Sequence, residues 1–522
     1  MSRSPRQVQS WPFPKENMAN ALKVRPSLWA YVLLVLLILP RFVTAAETQA
    51  SGRVDVILWF DTEDYLLPAD DDAAKRLAEM LTERGVRATF KVVGEKARVL
   101  EQRGRTDVIE ALKKHDIDYH ANYHSVHPTP SEYLADCGLL DGMEEFIRRE
   151  GGGAADVRRI FGRDTLACYG QPGSSWGPQT IAALAQIGVA PHGIPTYVDE
   201  GNHIGLKGRP FWYCNALVVY DMPPNRTRFE LHVPQALEPG KKAVTEINER
   251  LKAQGGGLIS IFYHPCEWVH KQFWDGVNFS RGANPPRSQW KAPPQRPIEE
   301  TEAAFARFSQ YIDHIKSLGV RFVTASELST IYPDKVRSEG ATEDEVREIA
   351  EVLASPDSKG IDFLVINGKS FSPVDQLEIL LSADEKKVPH GLLGPDGAGP
   401  TAGEGTVQKI DWAAFETAMK DVRDFARREK RVPARVFIGA DAVRPEDFLI
   451  GLARANLDKT KSGSWPSEVM LGKNVELLTA QHVAKDTPGI FGGWVIHKEG
   501  FRAPKILEVA RWQAWTLKPA MR

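Results

Sequence analysis

Segments that favour strands and segments that favour helices alternate over about 270 residues of this chain, and this alternation restricts the fold more than any other feature. Arg53–Trp59 is apolar and β-branched, as expected of a buried strand. The spacing of large apolar residues in Asp72–Gly85 predicts a helix that stops at the glycine. Repeated strand–helix units predict an α/β fold with a parallel sheet or barrel. Later segments continue the pattern, with strands at 87–93, 258–263 and 321–324, and helices at 107–114, 181–187 and 243–251.

Length, charge and cysteine content exclude several classes of protein. At about 150 residues per domain, a chain of 522 residues is expected to hold two to four domains. The 66 basic and 68 acidic side chains leave a net charge of -2, so there is no basic field and we expect no nucleic-acid partner. The 4 cysteines include no CxxC pair, which argues against a disulfide scaffold or a zinc ribbon.

The N-terminal segment has the pattern of an export signal. An apolar run covers Leu28–Leu39, with Lys23 and Arg25 before it and small residues at 43–45 after it. This run is shorter than the roughly 17–25 residues of a membrane-spanning helix, but it fits the apolar part of a signal peptide. We therefore expect residues 1–50 to be a signal peptide, with an uncleaved membrane anchor as the alternative. The protein is then exported to the periplasm, the cell envelope or the exterior.

The chain changes character after residue 333. Segments 363–383 and 435–455 align at a 72-residue offset, which makes them a candidate internal repeat. We expect a catalytic domain at 53–333 and a smaller, α-rich α+β accessory domain at 340–522. Charged amphipathic helices are predicted before the two copies, at 343–353 and 414–428.

Histidines are concentrated in one short segment. His115, His120, His124 and His127 fall within 13 residues, where this composition would place about 0.3 by chance. The spacing of His120 and His124 puts two imidazoles on one side of a turn. Neutral imidazole is the commonest protein ligand for metals, so the pair predicts a metal site with open positions for water and substrate.

An acidic cluster follows the first predicted strand. Asp61 and Glu63 are two residues apart, so strand alternation points both side chains the same way. Two carboxylates on one face can divide the work, one binding a metal and the other taking a proton. If the strand has already ended, Asp64 competes with Glu63 as the candidate ligand.

Four segments together resemble the motifs of the polysaccharide deacetylase (NodB-homology) family of carbohydrate esterases, in the family order and over roughly residues 54–333. The resemblance implies a distorted (β/α) barrel that uses a divalent metal, with zinc expected, to hydrolyse an N-acetyl group on a sugar. The four segments are 60–65 (FDTEDY), 88–94 (ATFKVVG), 116–125 (DIDYHANYHS) and 259–267 (ISIFYHPCE).

The resemblance also assigns roles to individual residues. It implies that Asp61 is the general base and that His264 is the general acid. His120 and His124 are implied as metal ligands, with Glu63 or Asp64 as the third.

The sequence departs from the family pattern in two places. Ala121 stands between the histidines, where the family usually has Ser or Thr. Gly170-Gln171-Pro172 stands in place of R-x-P, so the arginine that would orient the base is missing. Gln171 can donate a hydrogen bond but has no charge, so Asp61 would need another cation.

The substrate candidates are polar and aromatic residues of the same region. Gln171, Trp176 and Glu267 are expected to contact the substrate. Other tryptophans could also stack on a sugar, although burial in the core is the ordinary fate of such side chains. They are Trp212, Trp268 and Trp274.

These features predict an exported enzyme that removes N-acetyl groups from an envelope or extracellular glycan. Two alternatives remain open: an amide hydrolase acting on a non-glycan or modified substrate, and a non-catalytic glycan-binding protein. A second resemblance covers Lys420–Ala455, which is similar to pseudomurein-binding and related cell-wall-binding repeats. It implies that the accessory domain contacts the cell wall.

Overall fold

The structure is a computed structural model that describes residues 52–382 except 202, 207 and 221–223, together with residues 389–400 and 409–522. In this part of the chain, strands form one curled main sheet and three two-stranded sheets. In chain order the strands are β1 (Val54–Thr62), β2 (Thr89–Val92), β3 (Asp116–Tyr119), β4 (Cys168–Gly170), β5 (Thr196–Asp199), β6 (Phe211–Tyr213), β7 (Ala216–Tyr220), β8 (Gly257–Tyr263), β9 (Arg321–Val323), β10 (Leu364–Ile366), β11 (Lys369–Phe371), β12 (Lys409–Asp411), β13 (Val436–Ile438), β14 (Asp441–Val443), β15 (Glu468–Met470) and β16 (Lys518–Pro519).

The main sheet is a distorted (β/α) barrel, as the sequence predicted. Its strand order is β16-β6-β7-β5-β4-β3-β2-β1-β8, and β9 pairs with β1 beside this path. β1 is buried along its whole length of nine residues. It pairs in parallel with β8, with β2 over its second half and with β9 over its first half.

Helices cover the sheet, and their ends follow local sequence. The first helix begins at Pro68, a residue that fits the first turn, and stops before Gly85, which has a φ of 64°. In chain order the helices are α1 (Pro68–Glu83), α2 (Gly94–Gln102), α3 (Thr106–Leu112), α4 (Pro130–Tyr133), α5 (Leu139–Phe161), α6 (Pro178–Ala182), α7 (Leu237–Ala253), α8 (Trp274–Phe279), α9 (Ile298–Ser317), α10 (Ala325–Ile331), α11 (Lys335–Glu339), α12 (Glu343–Ala354), α13 (Pro373–Leu381), α14 (Trp412–Glu429), α15 (Pro445–Ser462), α16 (Pro488–Gly492) and α17 (Pro504–Gln513).

The two copies of the candidate repeat form the same elements. Each copy is a β-hairpin followed by a helix, β10–β11 and α13 in the first and β13–β14 and α15 in the second, and a further helix, α12 or α14, precedes each copy. The hairpin registers differ by 72 residues, since Leu364 pairs with Phe371 in one and Val436 with Val443 in the other. These segments enclose a hydrophobic core of their own between residues 336 and 471, to which Trp515 is added.

The last part of the chain returns to the barrel. β16 pairs antiparallel with β6, and buried apolar residues between 483 and 517 belong to the same core cluster as the barrel. Lys518 Nζ donates to Asp334 and Asp375 at 2.8 Å each, and all three side chains are nearly inaccessible. The division into domains at 53–333 and 340–522 stays a prediction, with the added fact that the final segment packs on the barrel.

The predicted leader at residues 1–50, with its apolar run, lies outside the described residues. Among the residues that are described, no helix has the length and apolar character needed to cross a membrane.

Candidate active site

Polar side chains from five parallel strands converge at one end of the barrel. Asp61 is the second-last residue of β1, and Lys91 lies in β2. His120, Glu200 and His264 directly follow β3, β5 and β8. Because the carboxyl ends of parallel strands meet at one rim, residues far apart in sequence share one pocket there. Four of the five line the same cavity, and Lys91 lies beneath it against Asp61.

Glu63, His120 and His124 form a group with the composition of a metal site. Their ligand atoms lie within 4.8 Å of one another, and all three side chains are buried. His124 Nε2 is 2.8 Å from Glu63 Oε2, and His120 Nε2 is 3.6 Å from the same oxygen. The structure therefore brings together the two predicted histidines and one of the two candidate carboxylates.

The protonation of His120 suits a metal ligand. Its Nδ1 lies 2.9 Å from the carbonyl oxygen of Gly170, so Nδ1–H donates to that oxygen and Nε2 carries the lone pair. Among the described residues this buried Nε2 has no hydrogen-bond partner. His124 is oriented similarly, because its Nδ1 lies 2.5 Å from Ser125 Oγ and its Nε2 faces Glu63. Two imidazole nitrogens and one carboxylate fit a divalent cation such as zinc.

Glu63 is held in its charged form. Burial alone would raise the pKa of this carboxyl, but the neighbouring His124 and His264 outweigh burial and hold the pKa well below its usual range. A carboxylate at this point is available to a cation without first losing a proton.

Asp61 has a buried cation beside it. Lys91 Nζ is 2.7 Å from Asp61 Oδ1 and 2.8 Å from Glu200 Oε1, and neither Lys91 nor Asp61 is exposed to solvent. Burial would raise the pKa of Asp61, but His120 and Lys91 lower it. Gly170 leaves the space that the lysine occupies, because a Cβ at that position would lie 2.5 Å from Lys91 Cδ.

Glu200 was not anticipated from the sequence. With Asp61 and His120 it forms a second group whose ligand atoms lie within 4.8 Å of one another. Burial and the charge of Asp61 raise the pKa of Glu200 well above its usual value, which makes it a poorer cation ligand than Glu63. No motif marks this position, since it lies in a loop after a short strand.

His264 faces both acidic residues and is oriented from behind. Its Nε2 is 3.9 Å from Asp61 Oδ2 and 3.9 Å from Glu63 Oε2, and its Nδ1 lies 2.9 Å from Glu267 Oε1. Burial would lower the pKa of His264, but Glu63 and Glu267 overcome it and raise the pKa to about 9. Arg228 in turn forms an ion pair with Glu267. His264 is therefore protonated at neutral pH.

The structure does not bring Asp64 to this group. β1 ends at Thr62, and the Asp64 side chain turns toward His270, with Oδ2 3.0 Å from Nδ1 of that ring. The outer histidines of the cluster are also elsewhere. His115 Nε2 lies 2.8 Å from the carbonyl oxygen of Ala78, and His127 Nδ1 lies 2.7 Å from Glu132.

The predicted substrate contacts are not among the residues that line the pocket. Gln171 is fully buried, donating to the Gly173 carbonyl oxygen and accepting from Tyr197. Trp176 is fully buried and stacks on His203 at 4.8 Å. Glu267 orients His264 and does not line the pocket. The remaining candidate tryptophans, Trp212, Trp268 and Trp274, are also buried.

The pocket itself has a volume of about 550 Å³, and part of its wall is apolar. That wall contains Phe262, Phe273, Trp494 and Val495. Phe262 lies within the motif segment 259–267, but no motif includes Phe273, and Trp494 and Val495 lie more than 200 residues after the final motif.

Comparisons with known proteins give similarity of limited extent. No protein-family model matches the sequence, and no curated protein matches it. A putative polysaccharide deacetylase from Mycobacterium smegmatis is 15% identical, covers 56% of this chain and 93% of its own, and gives a TM-score of 0.33. The Puue allantoinase is 13% identical, covers 57% of this chain and 94% of its own, and gives a TM-score of 0.35. A CE4 family pseudoenzyme mutant with restored enzymatic activity is 13% identical, covers 53% of this chain and 68% of its own, and gives a TM-score of 0.28.

These TM-scores lie below 0.5 and the identities below 25%, so they say nothing about the activity of this chain. The resemblance of 420–455 to cell-wall-binding repeats has no matching family model and stays a prediction.

Proposed function

We propose that this protein is a metal-dependent hydrolase that removes N-acetyl groups from a glycan. One observation supports this most strongly: a single pocket holds two histidines and a glutamate suited to a cation, a charged aspartate, and a protonated histidine. This set supplies an electrophilic centre, a base and an acid, as hydrolysis of an amide requires.

Glu63, His120 and His124 are the residues that would hold the cation. A divalent ion bound by these three would polarise an amide carbonyl and lower the pKa of water toward about 7. The side chains of this chain supply the proton transfers.

Asp61 is the proposed general base. Its lowered pKa keeps it charged, so Oδ2 can take a proton from the attacking water. Lys91 pairs with the other carboxylate oxygen, Oδ1, and supplies a positive charge there. Gln171 is uncharged and could not supply it. Asp61 therefore does not need the arginine that is missing from the segment 170–172.

His264 is the proposed general acid. Its Nδ1 is engaged with Glu267, so the proton on Nε2 faces the pocket. As water adds to the carbonyl carbon, the C–N bond breaks and Nε2–H protonates the leaving amine. The products are acetate and the free amino sugar, and the base and acid return to their starting states when the two protons are exchanged with solvent.

The proposal includes export and wall contact. The apolar run 28–39 behind Lys23 and Arg25 supports a leader, and the repeated hairpins support a binding surface. Val365 and Phe437 occupy corresponding hairpin positions and are 48% and 60% exposed. Export would be tested by fusing residues 1–50 to a reporter that is active only outside the cytoplasm. Wall contact would be tested by sedimentation with insoluble cell wall, comparing the Val365→Ser, Phe437→Ser variant with the unchanged protein.

Acetate release from N-acetylglucosamine oligomers tests the activity. We expect release by the zinc-loaded protein, loss after chelation, and recovery when zinc is restored. The Asp61→Asn variant is the control for contaminating activity, because it retains the proposed ligands. Release from a non-glycan N-acetyl compound alone would favour the amide-hydrolase alternative. Glycan binding without any release would favour the non-catalytic alternative.

A further inference from the structure

A segment near the C-terminus forms part of the active-site pocket. Trp494 and Val495 line the cavity together with the metal-ligating group and His264. Backbone hydrogen bonds fix the segment to the loop after α8: Arg281 N–H donates to Val495 O at 3.0 Å, and Gly282 N–H donates to Ile496 O at 2.7 Å.

The loop after β4 is shaped around Trp494. Gly173 has a φ of 49°, and a Cβ at that position would lie 2.5 Å from Trp494 Cδ2. The indole thus packs directly on the glycine backbone, at a distance that no side chain would allow. A second contact comes from Ser174, whose Oγ–H donates to the carbonyl oxygen of Phe491 at 2.9 Å.

Trp494 also contacts a proposed metal ligand. Its ring meets that of His124 edge-on, with centroids 5.3 Å apart. Its Nε1–H donates to Asp275 Oδ2 at 3.1 Å, and this oxygen lies 3.5 Å from Ser125 Oγ. The same Ser125 Oγ is 2.5 Å from His124 Nδ1. Trp494 is therefore connected to the orientation of His124 through Asp275 and Ser125.

The wall that includes Trp494 is apolar and partly open to solvent. Phe273 is 37% exposed and Val495 is 53% exposed, although both border the pocket that holds Glu63, His120 and His124. Exposed apolar side chains at the mouth of a cavity indicate a ligand with an apolar surface, while the few polar groups fix its orientation.

We propose that Trp494 is a specificity-determining and positioning residue for this site. It selects substrates that present an apolar group or a ring face next to the scissile carbonyl, and it holds His124 in place through Asp275. This inference rests on the proposed function only in assuming that a carbonyl-bearing ligand binds at the Glu63, His120 and His124 group.

The specificity role is tested with two ligands of the zinc-loaded protein, acetohydroxamate and benzohydroxamate. They share a metal-binding group and differ in the apolar part attached to it. We expect the unchanged protein to bind benzohydroxamate about tenfold more tightly. Trp494→Ala should remove that preference, whereas Trp494→Phe should keep most of it. Binding would be measured by calorimetry, after circular dichroism and melting show that each variant is folded.

The positioning role has its own readout. Trp494→Phe keeps the ring but loses the N–H that donates to Asp275, so we expect zinc binding about tenfold weaker. Trp512→Ala is the matched control, since Trp512 lines a separate cavity in the same C-terminal region. It should change neither the hydroxamate preference nor zinc affinity.

An unchanged preference in a folded Trp494→Ala variant would overturn the specificity role, as would equal weakening for both ligands or no hydroxamate binding by the unchanged protein. Unchanged zinc affinity in Trp494→Phe would overturn the positioning role. If hydroxamate discrimination depends on Trp494 but no glycan releases acetate, the proposed function fails and this inference stands.

Discussion

Lys91 Nζ lies 2.7 Å from Asp61 Oδ1, and neither side chain is accessible to solvent. The register of β1 and β2 sets this relationship, because Asp61 and Lys91 are paired directly across the two parallel strands. A buried carboxylate without a cation would be protonated and unable to act as a base. The lysine therefore makes Asp61 chemically useful in a barrel that lacks the expected arginine.

Replacing Lys91 with methionine should raise the pKa of Asp61, because burial raises that pKa and the lysine opposes burial. The acidic limb of the kcat/KM profile should then move about 1–3 pH units upward. Activity at neutral pH should fall with it. The measurement is the pH dependence of acetate release.

The control for this prediction is Lys96→Met. Lys96 is also fully buried, where it forms an ion pair with Asp71 at 2.6 Å and another with Asp70, but it does not line the pocket. Both variants should lower the melting temperature, since breaking a buried ion pair costs about 3–5 kcal/mol. Only the Lys91 variant should shift the acidic limb. If the acidic limb of kcat/KM lies at the same pH in both variants, the role assigned to Lys91 is contradicted.

Adjacent carboxylates provide a matched test of the cation site. Glu63→Gln should weaken zinc binding at least tenfold, because it removes one of three ligands. Asp64→Asn should leave zinc affinity nearly unchanged, since its carboxylate faces His270. Calorimetric titration of the metal-free proteins measures both. Loss of zinc in the Asp64 variant alone would assign the site to the other carboxylate.

His264 should determine the alkaline limb of the rate profile. The pKa of about 9 belongs to a site where Glu63 carries its full charge, so a cation at Glu63 should place the limb below pH 9. Glu267→Gln removes a group that raises this pKa, so the limb should move to lower pH while turnover persists below it. His264→Gln should lower turnover about 10²–10⁴-fold. An unmoved limb in the Glu267 variant would exclude His264 as the acid.

A buried glutamate behind the histidine turn gives a prediction for stability. Burial raises the pKa of Glu150 to about 7, although Tyr119 O–H and Asn122 N–H both donate to its Oε2 at 2.7 Å. A raised pKa means that the folded state binds the proton more tightly than the unfolded state. The favourable contribution is complete below about pH 4.5 and is lost as the pH rises to about 7.

Glu150→Gln keeps an acceptor for both donors and carries no charge. Relative to the unchanged protein, its free energy of unfolding should improve between pH 5 and pH 8, by about 3 kcal/mol at most. Urea unfolding at the two pH values measures the difference. Glu144→Gln, on the exposed face of the same helix, should show no such gain. An equal effect of both variants would contradict the assignment to Glu150.

The sequence predicted the parts of the site that depend on local pattern. Strand alternation predicted that Asp61 and Glu63 share one face, and both side chains line the pocket. The spacing of His120 and His124 predicted neighbouring imidazoles, and their ring centroids lie 4.9 Å apart. The sequence could not decide between Glu63 and Asp64, because β1 ends at Thr62 and both residues lie in the loop beyond it. In that loop the Glu63 carboxylate meets His124, whereas the Asp64 carboxylate meets His270.

Contacts that depend on tertiary packing could not be predicted from the sequence. Lys91 is the partial exception, since a lysine inside an apolar strand signals a buried partner, but the register of two strands was needed to identify Asp61. Glu200 and Trp494 reach the pocket from segments with no motif. Trp176 was predicted as a substrate contact from its residue type alone. In the structure it stacks on His203 and is buried.

The central claim is that the cation binds Glu63, His120 and His124 and leaves Asp61 free as the base. Anomalous diffraction at the zinc absorption edge, from crystals of the zinc-loaded protein, tests it most directly. The account predicts one peak per chain, coordinated by Glu63, His120 Nε2 and His124 Nε2, with Asp61 still paired to Lys91. A peak coordinated by Asp61, His120 and Glu200, or no peak within the pocket, would contradict it.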